Sequence, residues 1–204
     1  MVQSVVALTR ADDVVAFKAA VEGRIQSLGR AHSMLADSRW EGADLRRILR
    51  EELAPYCTDN RERLTQAGPE LLLKPAAAQS LALVIHELAT NAAKYGALSV
   101  PEGKLTVNWS TLDEAGRAAR LSLSWTEQGG PLVARPTPSD RVGFGSRLMR
   151  GSVEGQLGGS LQLDWATGGL AATIEFPLDR SLQLGGPGED PPTSPRAAND
   201  EQPA

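Results

Sequence analysis

The stretch "HELATNAAKYGALS" (residues 86–99) carries a carboxylate, an amide and an ammonium at Glu87, Asn91 and Lys94. At about 100° per residue these groups cluster on one helical face. That face lies roughly a third of a turn from an apolar stripe, Leu81, Ile85, Leu88 and Ala92, spaced for burial. A solvated flank accounts for the three polar groups, and so does a ligand bound against them. A second candidate is "WTEQGGP" (residues 125–131). Strand parity puts Leu121, Leu123, Trp125 and Glu127 on one face, and a carboxylate ending an apolar row is costly without a partner. Glu127 could accept a hydrogen bond from a ligand amine, with Gly129 and Gly130 allowing close backbone approach. The alternative is a Glu127 already frayed into solvent. A third candidate is "GFGS" (residues 143–146), ahead of a predicted helix whose exposed N–H groups would suit phosphate, although glycine is ordinary before helices. Between the last two, "LVARPTPSDRV" (residues 132–142) is a polar, proline-bearing loop of the kind that closes over a ligand.

These groups need elements to hold them, and three regions separate by composition. Residues 1–55 are helical in pattern. "VQSVVALTR" is a short helical piece, Asp13 is placed to cap a second helix, and a third around "ADLRRILREEL" ends before Pro55. In the second helix Val14, Phe17, Val21, Ile25, Leu28, His32 and Leu35 follow a bundle or coiled-coil seam, which makes His32 a buried seam residue. Residues 56–178 read as an α+β domain. Short strands are expected in "RERLTQA" and "ELLLK", and Pro75 opens the long helix that contains Glu87. "KLTVNWS" and "RLSLSWTE" pair as one hairpin, "GSRLMRGSVEGQL" is a helix, and "SLQLDW" and "LAATIEF" form a second hairpin. Helices segregated against a largely antiparallel sheet give a two-layer α/β sandwich. Residues 179–204 are Gly/Pro-rich with almost no apolar content and are read as disordered.

Composition removes several function classes. The net charge of −4 arises mostly in that tail, which leaves the folded part nearly neutral and argues against nucleic-acid binding. One cysteine, Cys57, precludes an internal disulfide, and two histidines preclude a His-rich metal site. No apolar run reaches membrane-spanning length and no signal-peptide pattern opens the chain. The expectation is a soluble cytoplasmic protein, or the cytoplasmic end of a longer one. No Walker-type glycine loop and no dinucleotide fingerprint is present.

The order of the candidates is more specific than any one of them. An Asn-bearing helix, a strand ending in acid-x-Gly-Gly, a loop, and G-x-G opening a helix resemble the catalytic domain of histidine kinases, in the superfamily of gyrase, Hsp90 and MutL ATPases. More narrowly they resemble the HWE subgroup, through His86 in "HELATNAAKYG" and Trp125 with Glu127 in "WTEQGG". The likeness extends upstream through "GRIQSLGRAHSMLADSRWEGADL" and covers roughly residues 2–177. It implies a Bergerat-type (GHKL) ATP-binding fold preceded by a helical hairpin, with ATP and Mg²⁺ as ligands. Asn91 would give its side-chain oxygen to the metal. Glu87 would orient or deprotonate an attacking group, Lys94 would neutralise phosphate and Tyr95 would pack beside the nucleotide. Glu127 would take the place of the more usual Asp that reads the adenine amine. Gly143 and Gly145 would meet the phosphates, and Thr173 loosely matches a position that often touches adenine. His86 falls on the helix side away from Glu87 and Asn91 and is expected to be structural. Trp125 is expected to be core.

One departure stands against this pattern. HWE kinases carry the phosphoacceptor in a His-Arg-x-x-Asn motif, which these 204 residues lack. "MVQSVVALTR" is similar to text that follows that motif, so Met1 is expected to be internal, with the acceptor upstream and self-phosphorylation lost. The resemblance implies a kinase core that transfers the ATP γ-phosphoryl group to histidine and onward to a response regulator. It also implies a homodimer formed through the hairpin. The rivals are a nucleotide-binding scaffold without turnover and a serine kinase of the same superfamily.

Overall fold

The computed structural model describes Thr9 and residues 13–56, 63–112, 119–131, 144–166 and 168–178, with Phe144 and Ala166 in backbone only. The loop 132–142, Gly143, the tail 179–204 and nearly all of the first helical piece lie outside the described residues.

Helix α1 (Val14–Asp37) begins at Asp13, whose side chain accepts the Ala16 N–H at 2.7 Å as a cap should. Helix α2 (Leu45–Leu53) is capped the same way by Asp44, which lies on a two-residue strand β1 (Ala43–Asp44) paired with β3 (Leu72–Leu73). Strand β2 (Leu64–Ala67) follows α2. Helix α3 (Pro75–Lys94) has proline at its first turn, as the sequence predicts. Strands β4 (Lys104–Leu112) and β5 (Arg120–Gln128) form the expected first hairpin, and β6 (Ser160–Ala166) with β7 (Gly169–Pro177) the second. Between the hairpins, α4 (Phe144–Arg150) runs on into a π-helical stretch, Gly151–Gln156.

The main sheet has the order β2-β4-β5-β7-β6, antiparallel throughout except for the parallel pair β2–β4. Period-two alternation decides its faces. Leu105, Val107 and Trp109, Leu121, Leu123 and Trp125, and Leu170, Ala172, Ile174 and Phe176 all point to the helices and are buried. Against them lies α3, whose stripe Leu81, Ile85, Leu88 and Ala92 is fully buried. Helices α1 and α2 cover the far side of α3, and their Ala31, Leu35, Leu45, Ile48, Leu49 and Leu53 join the same apolar core. This is the expected α+β two-layer sandwich, with α1 and α2 packed into its core; the first helical piece of the expected hairpin lies outside the described residues.

The seam expected on α1 is corrected by the structure. The buried residues are Arg24, Ser27, Ala31, Met34 and Leu35, while Val14, Ile25 and His32 are exposed, so only Leu35 is common to both sets. The helix is turned so that small and polar residues face α3, because that face of α3 presents Glu87 and His86 as well as carbon. His32 is therefore no buried seam residue. It stacks edge-on against Trp40 at 4.8 Å between ring centroids.

Candidate active site

Glu87 leaves α3 toward α1 and is buried at 5% exposure. Arg24 meets it with two hydrogen bonds, Nε to Oε1 at 2.6 Å and a terminal nitrogen to Oε2 at 2.9 Å, and gives its other terminal nitrogen to Thr9 Oγ1 at 2.5 Å. The carboxylate of this flank is thus not solvated and already has a buried cation. Asn91, one turn on, is half-buried. Gly145 lies against both: a Cβ there would stand 2.8 Å from Glu87 Oε2 and 3.9 Å from the Asn91 amide nitrogen. Residues predicted from two separate motifs, Glu87 and Asn91 from one and Gly145 from the other, therefore share one end of the site. Lys94 is exposed on the last turn of α3, and Tyr95, which closes the helix, is 67% exposed.

The other end is built around Glu127. It sits on the helix-facing side of β5, as parity requires, at 3% exposure, and is not frayed. Oε2 accepts the backbone N–H of Ala97 at 2.9 Å, and Oε1 accepts Trp125 Nε1–H at 3.0 Å. Burial pushes its carboxyl above the ordinary 4.5, and those two donors offset only part of the rise. A carboxylate has about four lone-pair positions, so the two donors leave acceptor capacity on each oxygen. Gly129, at φ +71°, packs beside Glu102, and a Cβ on Gly130 would stand 2.8 Å from Ala97 N. The glycine pair thus lets the turn after β5 nest on residues 96–103, where the sequence suggested room for a ligand. Trp125 is fully buried core.

Thr173 does not join either end. It pairs in register with Ser124 on the sheet face away from Glu127, and the helix-facing neighbours on β7 are Leu170 and Ala172. Gly143 lies outside the described residues. His86 is a bracing residue, with Nδ1 3.2 Å from Glu52 Oε2 of α2. Glu52 also receives Arg30 of α1 at 3.1 and 2.6 Å. Burial raises the Glu52 carboxyl, but the hydrogen bonds from His86 and Arg30 outweigh it and hold it below 4.5. Adjacent residues of α3 therefore fasten two helices. Arg24 and Ala97 were missed by sequence reasoning. An arginine between Val21 and Leu28 on an apolar stripe was a readable sign of a buried partner, whereas a backbone N–H leaves none.

Among the described residues no group of three or more His, Cys, Asp or Glu could hold a metal, and no helix is long and apolar enough to cross a membrane. A magnesium ion taking one or two protein ligands and the rest from phosphates and water suits that donor set; a protein-caged metal does not.

Residues 1–70 match the family model for HWE histidine kinases. Over 177 residues the chain is 37% identical to a blue-light-activated histidine kinase of Rhizobium johnstonii, across 87% of this chain and 49% of that protein. The chain belongs to the HWE histidine kinase family. A blue-light-activated histidine kinase of Brucella anthropi is 36% identical over 180 residues, 87% of this chain and 36% of that protein. This HWE-family chain thus spans about half the length, or less, of these relatives. The fold agrees: the histidine kinase domain of a blue-light activated histidine kinase of Erythrobacter litoralis superposes with a TM-score of 0.57 at 16% identity, over 87% of this chain and 90% of that one. The sandwich is the GHKL fold of histidine kinase catalytic domains.

Proposed function

We propose that this chain binds Mg-ATP and transfers the γ-phosphoryl group to a histidine of a two-component system, from which it passes to an aspartate of a response regulator. The observation that supports this best is the convergence of Glu87, Asn91 and Gly145 on the C-terminal half of α3, with the buried acceptor Glu127 against the turn that follows the helix. Glu127 reads the adenine amine with the lone pairs that Ala97 and Trp125 leave free. Asn91 holds Mg²⁺ through its amide oxygen, and the ion neutralises phosphate charge when bound. Gly145 lets backbone come near the phosphates, and Lys94 and Tyr95 line the exposed rim. Glu87 orients the attacking imidazole once Arg24 lets go of it. We take the assembled protein to be a cytoplasmic homodimer joined through the hairpin.

The test supplies the acceptor, since no His-Arg-x-x-Asn occurs in these residues. The chain, Mg-ATP and a hairpin fragment bearing that motif are mixed, and phosphate is assayed for acid lability. Acid-labile label that Asn91→Ala abolishes is the expected result. Acid-stable label on a partner protein would instead mark a serine kinase. The full engagement of Glu87 by Arg24 favours one other reading, a scaffold that binds nucleotide without turnover. Tight ATP binding with no label would establish it.

A further inference from the structure

Arg63 stands one residue before β2, far in sequence from every motif that marked the site. Its guanidinium gathers three carbonyls of one short segment: Nε donates to Gly103 O at 3.0 Å, and a terminal nitrogen donates to Ala97 O at 3.2 Å and Val100 O at 2.5 Å. The parallel register Leu64↔Leu105 brings Arg63 alongside the start of β4, so its backbone is fixed by the sheet. The segment it grips is held besides by the Ala97 N–H on Glu127, by the Ser99 N–H and hydroxyl on the Gly96 carbonyl, and by Leu98 in the core. Among the described residues, only Arg63 ties its three carbonyls together. After α3 the chain makes a single 3₁₀ turn, Ala97–Ser99, without a side-chain cap at its start, and then doubles back until Gly103 touches Ala97. A Cβ at Gly103 would fall on the Ala97 carbonyl, so 97 and 103 are as close as backbone permits.

That segment is also the wall of the base-reading end. Ala97 carries the N–H that fixes Glu127 Oε2, and its backbone receives Gly130. Arg63 grips the same residue by its carbonyl. A planar, permanently charged fork with five donors can hold three carbonyls in one arrangement, which a single ammonium does less well. From this geometry we propose that Arg63 is a positioning residue for nucleotide-base discrimination: it sets Ala97, and Ala97 sets the Glu127 carboxylate that distinguishes adenine from guanine. The inference rests on Glu127 reading the base. Adenine offers an amine donor to that carboxylate. Guanine offers a carbonyl acceptor at the corresponding edge and is repelled while the carboxylate stays in place. Loosening the segment therefore weakens ATP more than GTP. The triphosphate end keeps its own support from Arg24 and α1, on the other side of α3.

Calorimetry on the full chain with Mg-ATP and Mg-GTP tests this, with circular dichroism confirming that each variant is folded. Arg63→Gln is expected to weaken ATP about tenfold while GTP changes less than about threefold, the size expected when one charge-assisted hydrogen bond is lost. Arg63→Lys, which retains the charge and some donors, falls between. Glu127→Gln gives a similar selective loss, and the double variant is no worse than the poorer single, because both act through one carboxylate. Should Arg63→Gln fail to fold, Arg63→Lys carries the comparison, with ATP weakened about threefold and GTP unchanged. Equal loss of both nucleotides, no loss, or losses that add to those of Glu127→Gln would overturn the role of Arg63 and leave Glu127 as the base reader. A Glu127→Gln variant with the wild-type ATP-to-GTP ratio, or a wild type that binds neither nucleotide, would remove the reading beneath it.

Discussion

Arg24 of α1 and Glu87 of α3 form a two-pronged ion pair, 2.6 and 2.9 Å, with both side chains 7% exposed. Each partner alone would be a charge out of water. Arg24→Ala is therefore expected to destabilise the fold by about 3–5 kcal/mol, the usual cost of orphaning one member of a buried pair. The double variant Arg24→Ala, Glu87→Ala should lose clearly less than the two single losses added together. Urea unfolding of the four proteins reads both quantities. Additive losses would mean that the two groups do not act as a pair.

The Glu52 carboxyl makes the same helices sensitive to acid. Its folded value lies below the ordinary 4.5, because His86 and Arg30 more than offset its burial. A depressed carboxyl gives stability that is present above the unfolded value and lost as pH falls through the folded one. Between about pH 5 and 3 the wild-type urea midpoint should fall more steeply than that of Glu52→Gln, which has no such proton to take up. Parallel pH curves would contradict the assignment.

Glu127 shifts the opposite way. Burial holds its carboxyl above 4.5, so its contribution to stability is full below that value and is lost as pH rises through the folded one. An adenine amine favours the charged form, so nucleotide binding should release a proton between the lowered bound value and the raised free one. Calorimetry of Mg-ATP binding in two buffers of different ionisation heat detects that release. Glu127→Gln should show none.

Gly145 and Gly151 give a paired comparison. A Cβ at Gly145 meets Glu87 Oε2 at 2.8 Å, and Arg24 prevents that carboxylate from stepping aside. A Cβ at Gly151 meets nothing. Gly145→Ala should weaken Mg-ATP binding about tenfold, a cost of about 1.4 kcal/mol. Gly151→Ala should leave binding unchanged and stabilise the chain by about 0.5–1 kcal/mol through helix propensity. Calorimetry and thermal melts separate the two effects.

Much of the fold was legible because it rests on local periodicity. Period two assigned every buried residue of β5 correctly, including Glu127, and Pro75 and Asp13 marked two helix starts. The α1 seam failed for a physical reason. Spacing finds apolar residues, but the face α1 buries was selected by what α3 offers, and α3 offers Glu87 and His86. Thr173 failed on parity, since a one-residue offset moves a side chain through the sheet.

Residue types and their spacing were enough to determine the α+β class, the two hairpins, the long helix, and Glu87, Asn91 and Glu127 as the groups worth watching. Only the folded chain decided what those groups touch. Arg24 lies 63 residues from Glu87, and Ala97 lies 30 from Glu127. Such pairings leave no local period in the chain, because the partner of a buried charge is chosen by which surfaces pack together.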